Sequence, residues 1–87
     1  MEGSSLSAGE AEFLTERLQL ILLSIIPESG RYRVLDGALR KLRTGKSEAD
    51  FADEELRQVV WELEDLRLEG EEHKLRASIL RKLGGVE

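Results

Sequence analysis

Apolar residues along this chain fall into four groups, and the spacing within each predicts a helix. The densest group is residues 18–26, where Leu18, Leu20, Ile21, Leu22, Leu23, Ile25 and Ile26 leave only Gln19 and Ser24 polar. Wrapped as a helix, that run is apolar round most of its circumference and needs cover on several sides. Phe13 and Leu14 extend it upstream on one face. Ser7-Ala8-Gly9-Glu10 has the Ser-x-x-Glu spacing of a capping box. The first helix is therefore predicted over 8–26, stopped by the turn of Pro27 to Gly30.

Val34, Leu35, Ala38, Leu39 and Leu42 form one stripe and predict a second helix over 31–44. Gly37 inside it suits the close approach of another helix, and Gly45 suits its end. Leu56, Val59, Val60, Leu63 and Leu66 predict a third helix over 53–68. Asp53, Glu54 and Glu55 fill its first turn, where the helix dipole favours acids. Ser47, Asp50 and Asp53 are the start signals before it, and Phe51 is expected to tuck back onto the core. Leu75, Ile79 and Leu83, with Leu80 beside them, predict a fourth helix over 71–83.

Gly70 leaves the junction of the last two helices open. As a C′ residue it separates them. Alternatively the helix runs through, because positions 56, 59, 63, 66, 70, 73, 77 and 80 keep a 3–4 spacing, although Gly70, His73 and Ala77 make a poor seam. A β-hairpin across 68–75 is opposed by Glu72 and Arg76 at i, i+4. The fold expected is all-α: a small bundle of three or four helices, the first central, broken or bent near Gly70. One domain spans 7–84, between a flexible stretch at 1–6 and a tail at 85–87. A turn at Gly70 lets one chain enclose the 18–26 run; an unbroken helix leaves part of it for a second chain.

Composition narrows the chemistry. The chain has 87 residues, 40% hydrophobic and 36% charged, enough for one small core. It has no cysteine, which removes disulfides, thiolate catalysis and cysteine-bound metals. No basic segment or small-residue cleavage site precedes the apolar run, so a secretory leader is not expected. The run itself falls short of the roughly 20 residues that span a bilayer. A cytoplasmic location with no membrane partner is the expectation.

Charge alternates by segment. Residues 1–30 carry one positive and five negative charges, 31–46 six and one, 47–72 two and eleven, and 73–87 four and one. The net charge of −5 argues against bulk nucleic-acid binding. The basic segment is the strongest functional lead: Arg31 and Tyr32 lie beside the patch, and Arg33, Arg40, Lys41 and Arg43 form its candidate partner-binding face. It either meets an acidic surface, in the same chain or another, or binds phosphates. A third helix entering a DNA groove with Asp53-Glu54-Glu55 first is disfavoured. The second candidate face is apolar and acidic: Trp61, Leu68, Glu64 and Asp65, with Leu22 and Ile25 of the first helix.

Enzyme motifs are weak. His73 is the one histidine and reads as a solvated side chain. Glu55, Glu62, Glu64 and Asp65 read as a solvated carboxylate face, without the Glu-x-x-His spacing of a di-metal bundle. Thr44-Gly45-Lys46-Ser47 lacks the upstream glycine of a phosphate loop. No catalytic residue, cofactor or metal is assigned. The expected function is a non-enzymatic protein–protein interaction module, an adaptor or regulatory domain that self-associates through apolar surface with complementary acidic and basic faces. The alternative is a small nucleic-acid-binding or transcription-regulatory factor using the basic patch.

Overall fold

A computed structural model describes residues 6–46 and 50–83. Among them lie four α-helices and no strand: α1 (Ala8–Leu23), α2 (Gly30–Arg43), α3 (Asp53–Asp65) and α4 (Glu71–Leu83). Ser47, proposed above as a start signal, lies outside the described residues, as do residues 1–5 of the flexible stretch expected at 1–6 and the tail at 85–87.

Local chemistry accounts for most helix ends. The capping box at α1 is complete: Ser7 Oγ accepts from Glu10 N–H at 3.1 Å, and Glu10 accepts from Ser7 N–H at 2.9 Å. Ser29 caps α2 by accepting from Tyr32 N–H at 3.1 Å. The N-cap of α3 is Ala52, which has no side-chain oxygen, so the reciprocal half of a box stands alone: Glu55 accepts from Ala52 N–H at 2.8 Å. Asp53 is the first residue of the helix, and Asp53, Glu54 and Glu55 fill its first turn as the sequence predicts.

Two helices stop three residues before their predicted ends. α1 ends at Leu23 instead of Ile26. Pro27 disfavours helical backbone at Ile26, and in a continued helix its ring would strike the Leu23 carbonyl. α3 ends at Asp65 instead of Leu68, and Leu66 is extended at φ −73°, ψ 141°. Arg76 of α4 supplies the reason. Its Nη1 donates to the carbonyl of Leu66 and to that of Leu63, which also accepts from Leu66 N–H at 3.2 Å. Gly70 follows at φ +64°, a left-handed conformation suited to glycine, and α4 begins at the next residue. The continuous helix and the hairpin are therefore both absent. Nor do Glu72 and Arg76 pair: Glu72 reaches Arg17 on α1 at 2.8 Å, and Arg76 caps α3.

The core draws on every helix. Phe13, Leu14, Leu18 and Leu22 come from α1, Leu35, Ala38 and Leu39 from α2, Val59 and Leu63 from α3, and Ile79, Leu80 and Leu83 from α4. Leu42, Phe51, Leu56, Val60, Leu66, Leu68 and Leu75 pack around it, half-buried. α1 supplies more of this core than any other helix. It packs on α2 and α4, while α3 bridges α2 and α4.

Ion pairs tie the helices together across that core. Glu10 is the most fully engaged. It is buried, and besides Ser7 N–H it accepts from Ser78 Oγ and from Lys82 Nζ, the latter at 2.6 Å, so a capping residue of α1 also fastens α4. Burial raises a carboxyl's pKa, but the hydrogen bonds from Lys82, Ser78 and Ser7 outweigh it and hold Glu10 down at about 2. On the other side, Lys41 of α2 meets Glu55 of α3 at 2.7 Å. Burial again opposes ionisation, and the hydrogen bonds from Lys41 and Ala52 N–H prevail, lowering the Glu55 pKa. A Cβ at Gly37 would lie 2.5 Å from Glu55 Oε2, so this glycine makes room for a tethered carboxylate rather than for a helix backbone.

Two predictions follow from these ties. Glu10 is ionised below its ordinary 4.5, so its contribution of about 3 kcal/mol is complete above that pH and is lost as pH falls towards 2. Urea unfolding of Glu10→Gln should lose most of that at pH 7, and wild type and variant should converge near pH 2. Gly70→Ala should cost about 1–2 kcal/mol through its positive φ. Gly30→Ala, in open space with no positive φ, should cost nothing measurable in the same assay.

Candidate interaction surface

Most apolar side chains are accounted for by the core, and four large ones are not. Leu20 is 51% exposed, Leu23 78%, Ile26 66% and Trp61 53%. Leu20 and Leu23 are one turn apart on the solvent side of α1, opposite Leu14, Leu18 and Leu22. The 18–26 run is not fully enclosed. Its inner residues Leu18 and Leu22 are buried, Ile21 and Ile25 are half-buried, and its outer residues face water. Leu22, named above for the partner face, therefore belongs to the core, and Leu20, Leu23 and Ile26 take its place outside.

Arg31 lies between the two exposed apolar regions. On one side it lines an open groove with Ser24, Ile25, Ile26 and Ser29. On the other it lines a wider one of about 870 Å³ with Asp53, Glu54, Arg57, Gln58 and Trp61. Its guanidinium sits 5.8 Å from the centre of the Trp61 ring, within cation–π range. It is held there by a bidentate pair with Glu62, Nε to Oε2 at 2.5 Å and Nη2 to Oε1 at 2.8 Å. Glu62 is buried and also accepts from Gln58 at 2.9 Å. The hydrogen bonds that Arg31 donates to Glu62 raise its pKa against the opposing effect of burial, with further contributions from the charges of Glu62 and Asp65.

Glu62 corrects the reading of a uniformly solvated α3 face: it points inward and is neutralised by α2. Its position carried a signal, since Glu55, Val59, Glu62 and Leu66 share one helical stripe. Glu10 had the same signal, four residues before Leu14 and eight before Leu18. Arg31, which ties the two apolar regions together, carried none beyond its charge.

The basic face is largely occupied within the chain. Lys41 pairs with Glu55 and donates to the Asp50 carbonyl at 2.9 Å. Arg40 pairs with Asp36 one turn earlier at 3.1 Å, and Arg43 donates to Gln19 at 2.9 Å. Arg33 is exposed and has no ionic partner among the described residues. These four side chains thus do not form one free cluster. On the second face, Glu64 and Asp65 are exposed, while Leu68 is half-buried against the core. His73 is exposed, its Nδ1 3.0 Å from Arg76 Nη2. Among the described residues no three acidic, histidine or cysteine side chains are grouped so that they could hold a metal ion, and no helix is long and apolar enough to cross a membrane.

Comparison of the chain with protein-family models, with curated proteins and with solved structures returns no match.

Arg31 and Trp61 should separate fold from surface. Arg31→Ala strands a buried carboxylate with only Gln58 and should cost about 2–4 kcal/mol in urea unfolding. Trp61→Ala, removing a half-exposed ring, should cost under about 1 kcal/mol. Equal losses would show that Trp61 is part of the core.

Proposed function

We propose that this chain is a non-enzymatic protein–protein interaction module, an adaptor or regulatory domain of the cytoplasm. The observation that carries the reading is the exposure of Leu20, Leu23, Ile26 and Trp61 on a fold whose core closes without them. Exposed aromatic and aliphatic residues beside an arginine are the composition of interface centres. α1 is the central element of this reading. It carries the largest share of the core on one face and most of the exposed apolar side chains on the other, so a bound partner would rest on the best-anchored helix.

The arrangement of charge also supports a protein partner over a nucleic acid. Nucleic-acid binding needs several cations free to meet phosphates, and here Lys41 and Arg40 are paired internally. The complementary acidic and basic segments of the sequence are partly spent on each other: α2 meets α3 through Arg31–Glu62 and Lys41–Glu55.

Photo-crosslinking in cells tests the reading. A photoreactive residue at position 23 or 61 should give discrete protein adducts, and one at exposed position 67 should give none. Absence of adducts from both 23 and 61, or a retained RNA adduct at position 33, would overturn it.

A further inference from the structure

The exposed apolar stripe of α1 lies in a field of one sign. Leu20 and Leu23 share the solvent side of the helix with Glu16 and Glu12, four and eight residues before Leu20. Glu28 follows Ile26 in the turn. All three carboxylates are exposed, and none has a hydrogen bond or ion pair among the described residues. The nearby cations are mostly spent elsewhere. Arg17 is paired with Glu72 and stacked on Phe13, its guanidinium 5.3 Å from the ring centre. Arg31 is held by Glu62. Arg43, bonded to the neutral Gln19, has no carboxylate partner among the described residues. The patch is therefore apolar at its middle and net acidic at its edge.

That combination decides between occupants. A second copy packed α1 to α1 would bring two sets of Glu12, Glu16 and Glu28 into one rim, and like charges oppose such a contact. The other exposed apolar site of this chain is no better matched. Around Trp61, the exposed carboxylates Asp53, Glu54, Glu64 and Asp65 outnumber Arg57 and Arg33, cations without an ionic partner among the described residues. Neither apolar site on this chain offers the positive rim that the α1 stripe lacks.

We propose that the outer face of α1 docks a basic amphipathic helix of a different protein. Its apolar residues, at i, i+3, i+4 and i+7, cover Leu20 and Leu23 and reach the groove of Ile25 and Ile26. Its flanking Lys or Arg residues meet Glu12, Glu16 and Glu28. This rests on the interaction-module reading and narrows it to one face and one class of partner, in place of the self-association expected from sequence.

Calorimetric titration tests the proposal with three synthetic peptides of about 18 residues: a helix with that leucine spacing flanked by lysines, the same helix with glutamates for lysines, and a scrambled lysine peptide. The first should bind about tenfold or more tighter than either of the others. Leu23→Ser with Ile26→Ser should abolish that preference while leaving the circular dichroism unchanged. Glu12→Lys with Glu16→Lys should reverse it towards the glutamate peptide, and Asp53→Lys with Glu54→Lys should leave it intact. Equal binding of the lysine and glutamate peptides, or binding that survives Leu23→Ser with Ile26→Ser, would overturn the proposal. So would a wild-type dimer in sedimentation that Leu23→Ser dissolves, which would make the occupant a second copy. Protein adducts from position 61 but not 23 would overturn this proposal alone and leave the broader reading in place.

Discussion

Burying a carboxylate costs free energy unless a base and hydrogen-bond donors meet it, and among its described residues this small fold buries two. Glu10 takes Lys82 and Ser78 from α4, and Glu62 takes Arg31 from α2. Each pair joins two helices at a specified position, which leucine packing by itself does not do, because apolar contacts are non-directional. The consequence reaches the surface. Arg31 can stack on Trp61 and line both grooves only because Glu62 holds it, so the exposed face inherits its geometry from a buried charge.

The helices were legible in the sequence because their causes are local. The 3.6-residue stripes, the Ser7–Glu10 box and the glycines at 45 and 70 act within a few residues of themselves, and both glycines take positive φ. What the sequence hid was set by partners distant along the chain. α3 ends at Asp65 because Arg76, ten residues beyond Leu66, takes its carbonyls. The stripe at Glu10 and Glu62 gives their direction but not their bases, which stand 72 and 31 residues away. The candidate surface was legible in part. Trp61, named for the second candidate face and absent from the stripe of Leu56, Val59, Val60, Leu63 and Leu66, is exposed. Leu22 and Leu23 are adjacent in an all-apolar run, and only the placement of α2 and α4 decides which of them faces water.

Segment charge tells a similar story. Of the alternatives open for the basic stretch at 31–46, an acidic surface of the same chain accounts for Arg31 and Lys41, which α3 matches. Among the carboxylates left over, Glu12, Glu16 and Glu28 border the apolar residues of α1 that the core does not use. An interaction surface is most informative where both kinds of remainder coincide, as they do along Glu12, Glu16, Leu20 and Leu23.

The central claim is that the fold closes without its exposed aliphatic stripe. Urea unfolding of the triple variant Leu20→Ser, Leu23→Ser and Ile26→Ser measures this most directly. The account predicts a stability within about 0.5 kcal/mol of wild type per substitution and an unchanged m-value, because no core contact is removed. A loss of several kcal/mol, or a broadened transition, would contradict it by showing that these side chains belong to the core of this chain.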